Sequence, residues 1–337
     1  VLSWGGNEEG QLGLGFVSDR PCKEPQEVEG LRGAGVTVVS CGRLHSLLLS
    51  SLWGLVAFGS NSHGQLGIGG SDSCCSSPTP LELPDGPPSS VSCGSHHTAV
   101  VMADGSILSF GNNSNGQLGV GTHDSPVLSP RRMLLPPLSR ALSCSCGGLH
   151  SVVVAESEER TRTVFACGAG GCGQQGTSGA QENSFVPHEV ATLRGKRVVS
   201  VTCGMFHTLA LVVEDGPRTV LYSWGMDQFG GGRRTGSHLN SSHAEDGVPR
   251  VVMREEEEGV AITSIASSAS SNHSLLLLRR RLSWERERIL WIGFLKGDPR
   301  SCLIARLPCD GSSSTSSSTT SFSSRILRTI LDYSALL

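Results

Sequence analysis

The stretches SWGGNEEGQLGLG at residues 3–15 and CGRLHS at residues 41–46 decide the fold, because degenerate copies of both recur in alternation along the chain. Copies of the first begin with an aromatic residue or Cys followed by Gly at positions 4, 58, 110, 167 and 224. Copies of the second, Cys-Gly-x-x-His, occupy residues 41–45, 93–97, 146–150 and 203–207, and a fifth survives at 269–273. The starts of the first signature are 52–57 residues apart, and a fixed period of this kind is typical of repeat folds in which each unit buries its faces against its neighbours.

Short apolar runs lie between the two signatures, for example at residues 36–40, 46–49 and 55–58. Their lengths suit β-strands better than helices, and Asp104-Gly105 between two such runs has the chemistry of a tight hairpin turn. Three or four antiparallel strands per unit, repeated five times, favour radial closure because closure leaves few exposed sheet edges. The sequence therefore predicts an all-β fold, a β-propeller with about five recognisable blades.

The two ends of the repeat array predict how the propeller closes. The chain begins with the late strand of a unit at residues 2–4, and the fifth unit supplies early strands at 262–266 and 274–278. We expect residues 1 to about 30 to complete the blade begun by residues 260–281, so that strands from both ends share one blade. The repeat fades after residue 281, which predicts a propeller over 1–281 and a degenerate tail over 282–337. This tail contains a Ser/Thr-rich low-complexity stretch at 312–321, and the helical spacing of apolar residues 326, 327, 330 and 331 predicts a short C-terminal helix.

Composition and charge narrow the classes of partner. The net charge of -3 gives no overall positive field, so nucleic acid and chromatin are not expected partners. No run approaches the roughly 18 consecutive apolar residues of a membrane span, so no membrane partner is expected. The twelve cysteines lack the spacing of a disulfide framework, and we interpret them as reduced thiols. This interpretation places the protein in the cytoplasm, with the nucleus as the alternative.

The recurring histidines could be drawn as a ring of metal ligands. One histidine per blade, however, separates them too far for bonds of about 2.0–2.1 Å to one ion. We instead expect each histidine to have the same hydrogen-bonding role in its own blade, and we expect no metal site, no cofactor and no catalytic residue. The GAGGCG string at 168–173 matches a dinucleotide-binding pattern but aligns with the repeat loop, and no helix pattern follows it. The structural signature residues are Gly42, His45, Gly94, His97, Gly147, His150, Gly204, His207 and His273.

Two charged inserts are the candidate partner sites. One extends a hairpin that is shorter in the earlier blades, and the other enlarges a loop after Arg254. A loop longer than its equivalents in sister repeats is often where a binding site is placed, although a solvated insert without a partner is the alternative. The candidate partner-binding residues are Glu156, Glu158, Glu159, Arg160, Arg162, Glu255 and Glu256.

The pair of signatures, SWGxNxxGQLGLG and CGxxHS, resembles the repeat of the regulator of chromosome condensation family over residues 1–281. The resemblance implies four-stranded blades, usually seven, whereas five copies are recognisable here. It also implies a function that depends on binding through the propeller surface. The founding member exchanges nucleotide on the Ran GTPase, and other members are interaction modules in HECT ubiquitin ligases, ciliary proteins and a plant UV-B photoreceptor. The photoreceptor-like members carry Trp inside the second signature, where this chain has Arg43-Leu44 and Met205-Phe206 in two copies, so light sensing is not expected.

Three functions follow from these expectations. The first is a non-enzymatic protein-protein interaction scaffold that presents propeller-face loops to a protein partner. The alternative is a guanine-nucleotide exchange factor for a small GTPase, with the insert at 156–162 as the element that disturbs the nucleotide. A further alternative is a substrate receptor in ubiquitination, because LPCD at 307–310 and RILRTILDY at 325–333 resemble the opening of an adaptor helix of ubiquitin ligases.

Overall fold

The computed structural model describes residues 1–70, 73–177, 182–214, 218–226, 247–254, 260–270, 274–280, 288–294 and 302–306. These residues form a two-stranded N-terminal pair and five four-stranded sheets, here called blades I to V. The N-terminal pair is β1 (Leu2–Asn7) and β2 (Ser18–Glu27). Blade I is β3 (Val36–Cys41), β4 (His45–Ser50), β5 (Gly54–Ser60) and β6 (Cys74–Leu81). Blade II is β7 (Pro88–Cys93), β8 (His97–Met102), β9 (Ile107–Gly111) and β10 (Val127–Arg132).

The remaining blades repeat this plan. Blade III is β11 (Arg140–Cys146), β12 (His150–Glu156), β13 (Arg162–Gly168) and β14 (Ser184–Glu189). Blade IV is β15 (Arg197–Cys203), β16 (His207–Glu214), β17 (Arg218–Gly225) and β18 (Arg250–Arg254). Blade V is β19 (Val260–Ser267), β20 (Ser274–Arg280), β21 (Arg288–Phe294) and β22 (Cys302–Arg306). Short 3-10 turns lie at Glu29–Leu31 and Ala191–Leu193, and in the described part of the chain no helix is long and apolar enough to cross a membrane.

The strands of each blade follow one another in chain order, and consecutive strands pair antiparallel wherever their register is defined. The predicted all-β propeller of about five blades is therefore confirmed. Its closure differs from the prediction: among the described strands β1 pairs with β2, and β20 pairs with β21 instead of with β1. The physical reason is that β21 follows β20 after a short connection, so its pairing costs less loop-closure entropy than pairing with residues 2–7.

The last blade also continues past the predicted end of the propeller. β21 and β22 lie beyond residue 281, and the first compact unit of the chain runs from Val1 to Ala305. The Ser/Thr-rich stretch and the helical pattern predicted for the tail fall after residue 306 and lie outside the described residues.

In blades I to IV the second strand is buried on both faces, which explains its continuous apolar sequence, whereas Leu275 in the second strand of blade V is exposed. In β12, Val152 and Val154 join a buried cluster with Val212 of blade IV. Val153, between them, joins a cluster with Val101 of blade II. Because successive side chains of a strand point to opposite faces, one strand contacts both neighbouring blades. Similar clusters join the segment after β2 to blade I, blade I to blade II, and blade IV to blade V.

A hydrogen-bonded bridge built from both sequence signatures joins blades I to II, II to III and III to IV, and its histidine contact recurs between blades IV and V. His97 Nε2 lies 2.9 Å from the hydroxyl of Ser151 in blade III, and that hydroxyl donates at 2.7 Å to the carbonyl of Gln117 in the loop between β9 and β10 of blade II. The distances at the other junctions are similar. The histidine-to-hydroxyl pairs are His45 with Thr98 (3.2 Å), His150 with Thr208 (2.9 Å) and His207 with Ser274 (2.8 Å). The hydroxyl-to-carbonyl pairs are Thr98 with Gln65 (2.8 Å) and Thr208 with Gln174 (3.3 Å).

The bridge and the burial of the rings together set the protonation state of the histidines. Because the Ser151 hydroxyl gives its proton to a carbonyl, the imidazole of His97 must donate from Nε2, which excludes the neutral tautomer that is protonated on Nδ1. The Nδ1 atoms of His45, His97 and His150 are buried without a hydrogen-bond partner in the structure. Burial, reinforced by neighbouring histidines, lowers the pKa of each of these three imidazoles to about 3.

The glycine of the second signature leaves space for this imidazole. A Cβ built on Gly94 would overlap Cε1 of His97, and the glycines of the other copies lie in the same way against His45, His150 and His207. The carbonyl of each signature histidine in turn accepts a hydrogen bond from the backbone N–H of its glycine, at 2.8 Å for His97 and Gly94. Glycine and histidine therefore act as one unit in each blade.

We expect Gly94→Ala to lower the free energy of unfolding by about 1–3 kcal/mol, because the added methyl group pushes the His97 ring from its bridge. Gly171→Ala is the matched control, since a Cβ there meets no atom within 4 Å and neither glycine has a left-handed φ. Urea unfolding of both variants measures the difference, and equal stabilities would contradict the steric role of Gly94.

The buried neutral histidines also predict a pH dependence of stability. In the unfolded chain a histidine has a pKa of about 6.5, so below that pH the unfolded state binds more protons than the folded state. The free energy of unfolding should therefore fall as the pH drops from 7 to 5.5, by up to about 1.4 kcal/mol per pH unit for each such histidine. His97→Gln keeps an N–H donor but removes one titrating group, and its pH slope from urea unfolding should be smaller. An unchanged slope would contradict this account.

Candidate functional site

The insert predicted at residues 156–162 is a hairpin that connects β12 to β13. Its connection runs from Ser157 to Thr161, whereas blade I turns through residues 51–53 and blade II through 103–106. Ser157 N–H donates to Thr161 O at 3.0 Å, and Arg160 has a φ of 58°. This geometry exposes Glu158 and Glu159 at the tip of the hairpin.

The base of this hairpin forms one wall of a groove of about 370 Å³ between blades III and IV. The second wall is the segment that leads into β15. Four of the lining side chains are basic and one is acidic, so the groove is locally positive although the chain carries a net charge of -3. The lining residues are Glu156, Arg160, Thr161, Arg162, Gly195, Lys196 and Arg197.

Two of the basic side chains are held by the protein itself. Arg162 donates from Nη1 to the carbonyl of Val198 at 3.0 Å, and its Nε lies 3.9 Å from Oε1 of Glu156. Lys196 donates from Nζ to Oε1 of Glu214 at 2.9 Å. The hydrogen bond from Arg162 to Val198 holds the two walls together, because Arg162 belongs to blade III and Val198 to blade IV.

Glu214 is the centre of a small network behind the Lys196 wall. The hydroxyl of Tyr222 donates to its Oε1 at 2.6 Å, and Arg254 donates to its Oε2 at 2.9 Å. The Tyr222 hydroxyl, followed by the Lys196 ammonium, lowers the pKa of Glu214 to about 2. The hydrogen bond from Lys196 to Glu214 raises the pKa of Lys196 in return. Glu214 is thus ionised at neutral pH and neutralises Lys196.

The other two basic side chains of the groove have no such partner. Neither Arg160 nor Arg197 forms an ion pair with any residue that the structure describes, and both are exposed. A second groove of about 220 Å³ lies beside the first, between blades II and III, and Glu156 lines both. The hairpin end of blades II to IV therefore presents two neighbouring grooves, of which the one at Arg160 and Arg197 has unpaired positive charge.

The structure brings some of the predicted site residues together and not others. Glu156, Arg160 and Arg162 line the groove, whereas Glu158 and Glu159 project from the hairpin tip. Glu255, Glu256 and His273 lie outside the described residues. Among the described residues, no group of three or more His, Cys, Asp or Glu side chains is arranged to hold a metal ion.

Lys196 and Arg197 were missed by the sequence reasoning. They stand outside both repeat signatures, at the start of β15, and nothing in the linear sequence places them beside Arg160. A weak signal exists, because the corresponding first strand of blade III also begins with a basic residue, Arg140, which lines the neighbouring groove.

Comparison with known proteins identifies the repeats as members of a known family. The chain matches the profile of the regulator of chromosome condensation (RCC1) repeat at residues 1–49, 55–101, 104–154 and 163–211, and a second profile of the same repeat at 89–117. The chain belongs to the regulator of chromosome condensation repeat family. The predicted family resemblance is therefore confirmed, with four profile matches covering blades I to III and parts of both neighbouring units.

Relatives of this RCC1-repeat chain are named for different roles. The human protein named "Probable E3 ubiquitin-protein ligase HERC6" is 33% identical over 64% of this chain and 21% of its own length. The Arabidopsis thaliana "Ultraviolet-B receptor UVR8" is 31% identical over 68% of this chain and 50% of its own. The Danio rerio "Protein RCC2 homolog" is 30% identical over 67% of this chain and 48% of its own. The chain thus spans half or less of the length of these relatives.

Solved structures support the fold of the RCC1-repeat chain. Human WBSCR16 superposes with a TM-score of 0.65 at 21% identity, covering 91% of this chain and 78% of that protein. Prp20p from Saccharomyces cerevisiae superposes with a TM-score of 0.66 at 22% identity, covering 88% of this chain and 66% of that protein. At these identities the similarity shows the propeller fold.

The contacts of the groove predict different costs for two neighbouring arginines. Arg162→Gln removes the hydrogen bond to Val198 and should lower the free energy of unfolding by about 1 kcal/mol. Arg160→Gln, at the same hairpin and with the same change of charge, should change it by less than about 0.5 kcal/mol. Urea unfolding of the two variants measures this difference. A larger loss of unfolding free energy for Arg160→Gln than for Arg162→Gln would contradict the finding that the Arg160 guanidinium has no ion-pair partner among the described residues.

Proposed function

We propose that this chain is a non-enzymatic protein-protein interaction scaffold whose partner contacts the hairpin end of blades III and IV. The observation that carries the proposal is the groove whose walls are fixed to each other by Arg162 while Arg160 and Arg197 remain exposed without an ion-pair partner among the described residues. Binding surfaces with preorganised walls lose little conformational entropy on association. The buried histidine bridges, which join neighbouring blades, do not include any of the residues that line this groove.

The family supports an interaction or regulatory role without choosing among partners. A propeller supplies a rigid frame, and the hairpins between the second and third strands of its blades are free to vary because the histidine bridges do not involve them. The relatives named above are described as ligases, a receptor and an RCC2 homologue. Since the chain spans half or less of each, the activity of those whole proteins is not transferred to it.

A guanine-nucleotide exchange factor is the second candidate. Glu158 and Glu159 lie exposed at the tip of the hairpin, where acidic side chains would compete with nucleotide phosphates for the Mg²⁺ of a small GTPase. The structure of Prp20p was described together with its binding to Gsp1p and histones. At 22% identity that likeness supports the scaffold and leaves the exchange activity to be tested.

A substrate receptor in ubiquitination is the third candidate. Its support is the adaptor-like sequence of the tail, which lies outside the described residues, and the ligase names of several relatives. Replacement of Leu327 and Leu331 by Asp should abolish capture of a ligase component if this candidate is right.

The scaffold proposal is tested by affinity capture from cell extract, with and without added GTP. In the test variant an Asn-Gly turn replaces Ser157–Thr161, and in the control variant the same turn replaces residues 51–53 of blade I, which line neither groove. We expect partners that are lost with the first variant, retained with the second and insensitive to GTP. A small GTPase that is released by GTP would make the exchange factor the better assignment, and partners equally retained by both variants would contradict the proposed site.

A further inference from the structure

We infer that the groove between blades III and IV binds an acidic segment of a protein partner, with Arg160 and Arg197 pairing with two of its carboxylates. The inference rests on the proposed scaffold function and names the chemistry of its partner. It assigns Arg197, which neither repeat signature contains, as a binding residue.

The argument begins with the charges that the protein itself neutralises. Glu156 lies beside Arg162, and Glu214 accepts a hydrogen bond from Lys196. After these pairs are made, Arg160 and Arg197 remain, and both are exposed and without an ion pair to any described residue. The groove therefore retains two guanidinium groups, one on each wall.

The placement of the two arginines selects the kind of anion. Arg160 lies in the connection of β12 to β13, whereas Arg197 begins β15 of the next blade. Guanidinium groups bind carboxylates bidentately and are less strongly hydrated than ammonium groups, which favours them at protein interfaces. Two cations on separate walls favour a ligand that carries several anionic groups along an extended chain. An acidic peptide segment has this character, whereas an inorganic anion offers one charged centre.

The walls are held in place without the ligand. The Arg162 hydrogen bond to Val198 joins the hairpin to blade IV, and the network of Glu214, Tyr222 and Arg254 holds Lys196. Such preorganisation means that an incoming segment has mainly two arginine side chains to order. The positive groove lies on a chain of negative net charge, so attraction of an acidic segment is local to this surface.

The test measures binding of a labelled ten-residue peptide of alternating Glu and Ser by fluorescence anisotropy, with a Gln-Ser peptide as the uncharged probe. We expect saturable binding of the Glu peptide that weakens as salt is raised, and much weaker binding of the Gln peptide. Double reversal, Arg160→Glu with Arg197→Glu, should reduce affinity at least tenfold. Arg197→Lys should lose less affinity than Arg197→Glu, since it keeps the charge, but it should bind more weakly than the parent chain because an ammonium group cannot pair bidentately with a carboxylate.

The matched control is Arg20→Glu, which makes the same change of charge at an exposed position of β2, away from the groove. It should change the affinity for the Glu peptide less than twofold. Equal losses for Arg197→Glu and Arg20→Glu would overturn the inference, because they would show a general effect of charge. Stronger competition by inorganic phosphate or GTP than by the Glu peptide would also overturn it.

The failure of this inference and the failure of the scaffold proposal have different signatures. If captured partners depend on the Ser157–Thr161 hairpin but tolerate the double reversal, the scaffold stands and the acidic segment is wrong. If the Glu peptide binds and the double reversal abolishes it while no captured partner depends on the hairpin, the groove chemistry stands and the scaffold site is wrong. The urea midpoint of each variant is also measured. A midpoint equal to that of the parent chain shows that the variant is folded, so that its result reports binding.

Discussion

The arrangement of the blades depends on one buried hydrogen-bonded bridge that a neutral imidazole makes. The Ser151 hydroxyl accepts from His97 and donates to Gln117, so a single oxygen joins two separate segments of one blade to the next blade. Its proton is already used, and the buried Nδ1 of His97 has no partner, so an added proton would place an unpaired charge in the interior. The interface between blades is therefore specified by polar geometry as well as by apolar packing.

This constraint separates structural positions from functional ones. β12 begins at the bridging His150 and ends at Glu156 beside the groove, so opposite ends of one strand carry the blade junction and the candidate site. The bridge requires a specific hydroxyl and a specific carbonyl in the neighbouring units, which leaves little freedom there. The hairpin from Ser157 to Thr161 contributes nothing to it and is free to change in length and charge. A rigid repeat with one altered hairpin is a simple way to acquire a binding surface.

The sequence predicts the fold well because the signatures that define a blade lie close together along the chain. It predicts the site less well because the groove is lined by residues from two different blades. Spacing of the glycines and histidines was sufficient for the blades. Closure was predicted wrongly because the segment from Arg288 to Phe294 lacks the signatures yet pairs with β20. A different side chain can also replace a lost signature residue. In the blade II loop, Asn113 accepts a hydrogen bond from the N–H of Leu118. Blade III has Gly170 in place of this Asn, and its loop is held by Gln175, which donates to the carbonyls of Gly168 and Glu182. Arg197 was missed because its proximity to Arg160 arises only when two blades pack together.

The protonation state of the bridging histidines is the most direct test of the central claim. Long-range ¹H–¹⁵N correlation spectra of the imidazole rings distinguish the Nε2–H tautomer, the Nδ1–H tautomer and the imidazolium ion. The account predicts that His45, His97 and His150 remain neutral with the proton on Nε2 from pH 7.5 to pH 5.5, since burial lowers the pKa of each to about 3. Exposed histidines such as His123 supply the internal reference for a ring in contact with solvent. Nδ1–H tautomers, or titration of these three rings near pH 6.5, would contradict it.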